Sequence, residues 1–319
     1  MDGVSGVMLR RLITMRNWLP EADRMSLDRA IQACRRKGVE ISPWPQPQVR
    51  EALASGIDGA GAQSIFVLVR EGRRSAIGCM LLKHGIGIRD AWARHGLTRA
   101  ELDGFLAQVQ GIDLLPTGLD YVRVAVAHAL AVNLTSGVMP PFALLDAMET
   151  AGLQGIQPEA LSADALLGLL ESEADPTLSR PEVVADVLAR SGDLPDELGF
   201  LDFWFEADDE VEHLLGGKRL ARAKRIALVL GELLSRRAPK WIERLAWTAL
   251  LLREAEEDEP WEAFFVSAKE LKAGRAIGEL PLMAHVAANT VDAYAAHQLE
   301  SVPGRPRPAS QKHGASRRR

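Results

Sequence analysis

SIFVLVREGRRSAIGCMLLKHGIGIRDAW, residues 64–92, decides how this chain of 319 residues is read. Ile65, Val67 and Val69 alternate with Phe66 and Leu68, so a strand here is apolar on both faces, and its β-branched content favours extended backbone. Glu71-Gly72-Arg73-Arg74 is a charged turn with a glycine, and Ser75–Lys83 returns as the partner strand. The stretch therefore predicts a β-hairpin over about 64–83. A lone two-stranded ribbon is marginally stable in water, so the hairpin must lie on helices or join a small sheet.

Beyond the hairpin, Lys83-His84-Gly85-Ile86-Gly87-Ile88-Arg89-Asp90 reads as a glycine-spaced loop running into a helix. A strand, a glycine turn and a helix start are the parts of a phosphate site, because free N–H groups at a helix N-terminus stabilise an anion. Lys83, His84, Gly85, Gly87 and Arg89 are the candidate residues for such an anion loop. The parts are incomplete: the third glycine of a dinucleotide fingerprint would fall on Asp90, and the strand belongs to a hairpin rather than a βαβ unit. A tight strand-to-helix turn accounts for the two glycines without a ligand.

Upstream, the spacing predicts helices near Val7–Trp18 and Ser26–Lys37, stopped by Pro20 and Gly38. ISPWPQPQ, residues 41–48, is an extended proline-rich connector whose Trp44 either packs on its own domain or docks on a partner. A short helix from Pro47 to Ser55 is expected before the loop that delivers residue 64. Downstream, Ile88–Val109 has the outline of a helix-turn-helix with Gly96 at the turn. Trp92 is bulky for such a crossing, and Glu101 and Asp103 face a single Arg99, which disfavours a phosphate-lined groove. Thr98 and Glu101 form a capping box, and Leu119–Asn133 and Phe142–Ala151 are further helices.

From residue 155 the pattern is regular: helices are expected at 162–171, 181–189, 196–205, 208–215, 218–236, 239–256, 260–272 and 282–299. Several start on proline, whose missing N–H has no intrahelical partner there in any case. The fold class is thus mostly α: an N-terminal mixed domain (1–155) with one hairpin packed on helices, an acidic helical bundle or short HEAT-like solenoid (156–301), and a disordered basic tail (302–319). Net charge follows the same division, at +2, −13 and +6.

Lys218, Arg219, Arg222 and Arg225 share a basic run in the second half, and Arg317, Arg318 and Arg319 end the tail. Together they are the candidate nucleic-acid contacts. Their simpler reading is charge balance against the acidic helix 208–212. GFLDFWFEADDEVEHLL (199–215) and REAEEDEPWEAFF (253–265) combine acids with aromatics. Phe200, Phe203, Trp204, Trp261, Phe264 and Phe265 are expected to face the core with solvated acids outside. If Trp44, Trp204 or Trp261 is instead exposed, it anchors a partner.

The seven histidines show no metal-ligand spacing, and His128 reads as a hydrogen-bonded core residue. No GxSxG, Cys-His or HExxH pattern occurs, so no catalytic residue, metal or cofactor is expected. Two cysteines, Cys34 and Cys79, without CxxC spacing predict reduced thiols and a cytoplasmic setting. The N-terminus lacks a signal-peptide pattern, and the longest apolar run, Val124–Leu134, is too short to span a bilayer. The leading expectation is a non-catalytic adaptor for a protein partner. A nucleic-acid-associated regulator is the alternative, and an enzyme using the 83–90 loop the second alternative.

Overall fold

The structure, a computed structural model, describes residues 5–109, 113–217, 220–255 and 260–300. The described chain opens with a packed helix pair, α1 (Gly6–Arg16) and α2 (Arg24–Arg36), sealed by Leu9, Ile31 and Cys34. The connector 41–47 then leads into a sheet of five strands: β1 (Gln48–Ser55), β2 (Ala62–Glu71), β3 (Arg74–Lys83), β4 (Gly87–Leu97) and β5 (Leu114–Thr117). All pairings are antiparallel, in the order β4-β3-β2-β1-β5. The hairpin at 64–83 is therefore the centre of a larger sheet.

Two expectations are corrected here. Residues 48–55 form β1, not the helix expected over 47–55: their alanines, leucine and glutamate favour a helix in isolation, but both edges of the segment are paired, with β2 on one side and β5 on the other. Residues 87–97 form β4, not the first limb of a helix-turn-helix, because they extend the ladder on β3 from Gly87 opposite Lys83 to Leu97 opposite Ser75. The sheet's two edges are blunted as free edges usually are. β4 carries Arg89, Asp90, Arg94 and His95, and β5 is four residues long with a proline.

The doubly apolar strand read from the sequence has a direct cause. Ile65, Val67 and Val69 face α4 (Leu119–Ser136), α5 (Leu144–Ala151) and the main core, while Phe66 and Leu68 face α3 (Arg99–Val109). On the α3 side Phe66, Trp92 and Phe105 pack as an aromatic trio, with ring centres 5.6–6.4 Å apart. The expected capping box starts α3: Glu101 N–H donates to Thr98 Oγ1 at 3.2 Å, and Thr98 N–H donates to Glu101 Oε2 at 2.7 Å.

The second half consists of α6 (Ala163–Glu171), α7 (Pro181–Arg190), the short α8 (Leu194–Glu197), α9 (Asp209–Leu215), α10 (Arg222–Leu228), α11 (Ala238–Arg253), α12 (Trp261–Lys272) and α13 (Pro281–Glu300). Residues 199–203 form a 3-10 turn rather than the expected continuous helix, and α10 passes into a π-helical turn at Val229–Leu234. α11 is surrounded: α6 and α12 pack on it, and ten of its residues are buried. The main apolar core runs without a break from Trp18 through the sheet to Val291, crossing residue 155. A repeating solenoid is not shown. No described helix is long and apolar enough to cross a membrane.

Candidate functional site

A groove of about 540 Å³ opens at one end of the sheet, lined by Arg50, Arg70, Arg73, Arg74 and Arg99 together with Glu51 and Asp103. Three features of local structure assemble it. β1 and β2 slip register between Val49 and Glu51, so Arg50 sits on a β-bulge and both Arg50 and Glu51 are exposed instead of alternating. The β2–β3 connection is a two-residue turn between Glu71 and Arg74 with Gly72 at φ +61°, which brings Arg70, Arg73 and Arg74 together. The first two turns of α3 add Arg99 and Asp103.

Five guanidiniums thus face two carboxylates. Their mutual pairing is slight. Arg70 Nε donates to the Gly72 carbonyl at 3.1 Å, Arg74 Nη1 to the Gly96 carbonyl at 3.4 Å, and Arg99 Nε lies 3.7 Å from Asp103. Among the described residues none forms an ion pair with Arg50 or Arg73. Glu71, the carboxylate inside the turn sequence, is turned away: it accepts from His95 Nδ1 at 2.6 Å and from Gly96 N–H at 3.2 Å, contacts that hold its carboxyl below the usual range. The groove therefore keeps an uncancelled positive charge in a chain of net charge −5.

At the opposite end of the hairpin the 83–90 loop meets the helical half. Lys83, His84 and Gly87 line a cavity of about 30 Å³ with Gly61, Gln63, His128 and Trp247, while Gly85 and Arg89 are exposed and do not line it. That volume suits one or two waters. β4 takes the place of the expected helix, so the loop does not run into a helix N-terminus. Gly87, at φ +98°, lets β4 approach α4 closely, since a Cβ there would collide with the Ala129 carbonyl and the Asn133 side chain. Asn133 Oδ1 accepts from Ile88 N–H at 2.8 Å, and its Nδ2 donates to the Ile86 and Val138 carbonyls.

The loop between β1 and β2 plugs into the same region. Trp204 Nε1 donates to the Ile57 carbonyl and Arg244 Nη1 to the Gly59 carbonyl, both at 2.7 Å. A Cβ on Gly61 would lie 2.8 Å from His84 Cβ and 3.3 Å from Arg244 Nη2. Arg244 is fully buried with its guanidinium 4.3 Å from the Trp241 ring centre, and burial pulls its pKa down to about 10 against the raising effect of Glu206, Asp58 and Glu243. Its Nε and Nη2 are sealed without a protein acceptor, as is Nδ1 of His84. Burial, and next the charge of Arg244, lower the His84 pKa to about 3, so the imidazole is neutral at pH 7. His128 is hydrogen-bonded as expected but half-buried rather than in the core: its Nδ1 accepts from Leu161 N–H at 3.1 Å, and burial lowers its pKa.

The remaining sequence candidates separate. Trp204 is wholly buried, so it cannot anchor a partner. Trp44 is half-buried with Arg10 5.3 Å from its ring centre, and Trp261 is half-buried beside Phe265 at 5.8 Å. Phe200, Phe264 and Phe265 are core residues, but Phe203 is 54% exposed, a correction to the expected core set. Nor do all the acids around them lie outside: Glu206 is buried and accepts from Arg237, Lys240 and Trp241.

Arg222 pairs with Asp292 of α13 at 2.7 Å, not with the acidic helix. That helix, α9, is balanced instead by Arg236 and Arg237. Arg225 also has an interaction partner. Lys218, Arg219, Arg317, Arg318 and Arg319 lie outside the described residues. Cys34 and Cys79 are free, buried thiols, and burial pushes Cys79 up to about 12. Among the described residues no group of three or more His, Cys, Asp or Glu is placed to hold a metal ion.

Sequence reading missed the arginine groove. The signal available was VREGRR, three arginines within five positions of a hairpin tip. Arg50 and Arg99 join it only through strand register and a helix start.

Fold and site define an α+β protein with helices on both faces of an antiparallel sheet and a guanidinium-lined groove at one end. Residues 164–295 match the sequence profile described as the Y4lR C-terminal helical domain, and residues 1–38 that of the Y4lR second domain. The uncharacterized protein y4lR of Sinorhizobium fredii is 25% identical over 284 residues, covering 88% of this chain and 54% of that protein. The chain thus spans about half the length of the curated relative it matches. No solved structure matches it. The sheet and its groove lie between the two profile-matched segments.

Proposed function

We propose that this chain is a non-catalytic interaction module whose working surface is the arginine groove at the end of the sheet. The observation that carries this reading is the set of five guanidiniums facing two carboxylates, with Arg50 and Arg73 left without an ion-pair partner among the described residues. Exposed arginines on a surface ordinarily sit among mixed charges, and a concave run of one sign raises the local concentration of an oppositely charged partner and speeds its encounter. An anionic macromolecule is the partner that such a surface selects.

The test is retention on an immobilised sulfated polysaccharide. Wild type elutes at higher salt than the triple variant Arg50→Ala/Arg73→Ala/Arg74→Ala, with both folded by circular dichroism. Co-elution of the two proteins removes the groove from the interaction and overturns the reading.

A further inference from the structure

Building on the docking reading above, we infer that the groove takes the sugar-phosphate backbone of a nucleic-acid duplex, gripped without regard to base sequence. The chemistry of the lining selects this partner over an acidic protein. Every cation in the groove is an arginine, whose planar fork matches phosphate oxygens two at a time. No aromatic side chain is among the lining residues, and of the leucines there Leu68 and Leu102 are buried and Leu106 is half-buried. Protein–protein interfaces concentrate their energy in buried aromatic and arginine anchors surrounded by a polar rim, and here the arginines are all exposed and no aromatic stands among them. The same lack of aromatics argues against single strands, which are held by stacking bases on ring faces. What remains is contact to phosphates along a duplex, which positions a protein without reading sequence.

The local geometry is arranged to keep that charge available. The β-bulge exposes Arg50 beside the hairpin tip, and Glu71, the acid nearest in sequence to Arg70, Arg73 and Arg74, is tied to His95 and the Gly96 N–H of β4. A carboxylate that would neutralise the tip is thereby held out of the groove. Counterions condensed on a duplex are released as these arginines replace them, and each phosphate neutralised contributes a slope of about −0.9 to log K against log salt.

The experiment is fluorescence anisotropy of the full chain with a labelled mixed-sequence DNA duplex across a salt series. Competitors are an unrelated duplex, a single strand and poly-glutamate. Binding with a salt slope of about −3 to −4, equal displacement by either duplex and weak displacement by the single strand is the expected result. Arg73→Glu/Arg74→Glu should weaken duplex binding at least tenfold, with the thermal midpoint unchanged. Alanine at Arg317, Arg318 and Arg319 should leave most of it.

Duplex binding that survives Arg73→Glu/Arg74→Glu but is lost with the tail substitutions overturns the inference. So does tighter binding of the single strand. If poly-glutamate binds through Arg73 and Arg74 and the duplex does not, the nucleic-acid inference fails and the docking reading stands. If neither polyanion binds, both fail.

Discussion

Arginine occurs at both ends of the central hairpin in two environments that share little besides the guanidinium. At the loop end, Arg244 is fully buried, holds the Gly59 carbonyl, lies over Trp241 and has two sealed nitrogens without a protein acceptor. At the tip end, Arg50, Arg73 and Arg74 are exposed to water. Desolvation separates the two. A buried guanidinium is tolerated only where its surroundings over-determine its position, and removing it leaves a void and an unpaired carbonyl. An exposed one is fully hydrated before any partner arrives, so it contributes almost nothing to folding and can be committed to binding. The loop end is built for stability and the tip end is free to interact.

The sharpest way to break this contrast is at Gly87. Its φ of +98° and the closeness of Ala129 and Asn133 leave no room for a side chain. Gly87→Val should lower the unfolding free energy by about 4 kcal/mol or more, through strain and loss of the α4 contact together. Gly85→Ala, at φ +73° but with nothing within 4 Å, should lower it by about 1 kcal/mol. Urea unfolding followed by tryptophan fluorescence measures both. Equal effects at the two glycines would mean that α4 does not rest on the loop.

Next in size is Arg244→Ala. It removes the donor to Gly59, the contact with Trp241 and the volume of a buried side chain, and should cost about 3 kcal/mol in the same assay. If the variant is as stable as wild type, the two sealed nitrogens were already costing as much as the remaining contacts supplied. The loop end would then be no better optimised than the tip.

His84 gives the loop end a pH signature. Its folded pKa of about 3 lies below the ordinary histidine value, so the neutral form is favoured in the fold. Well above pH 6.5 neither folded nor unfolded imidazole is protonated and nothing is lost. As pH falls below 6.5 the unfolded chain gains a proton that the folded chain refuses, and stability declines toward pH 3. By pH 5 the loss from this residue is about 2 kcal/mol. His84→Gln should flatten the stability profile between pH 7 and pH 5 relative to wild type, which chemical denaturation at fixed pH values checks. A profile of unchanged slope would place that ring in water.

How much of this contrast could be read in the sequence depends on whether the signal is local. Helix periodicity and the Thr98–Glu101 capping box were legible, because the physics acts within a few residues. β1 and β4 were not. QVREALAS and GIRDAWARHGL contain alanine, arginine and glutamate that favour helix in isolation, and their strand state is imposed by β2 and β3, partners that lie outside either segment. With β4 misread, the glycines of the 83–90 loop stood beside a helix start that does not exist. The groove was hidden for the same reason: Arg50 and Arg99 are far apart in the chain and meet only once the ladder is in register.

The smallest expected change in stability tests the tip end. Arg50→Ala, Arg73→Ala and Arg74→Ala should each alter the unfolding free energy by no more than about 0.5 kcal/mol, since no buried volume and no buried acceptor is lost. Arg74 is the most exacting of the three, because it donates to the Gly96 carbonyl at 3.4 Å and so has a folded-state contact to lose. That bond is long and exposed, and water replaces it. A loss of about 2 kcal/mol at Arg74, measured by the same urea titration, would mean that this side chain fastens β4 to the hairpin tip. Binding defects of its variants would then report a displaced strand, and Arg50, Arg70, Arg73 and Arg99 would have to define the docking surface.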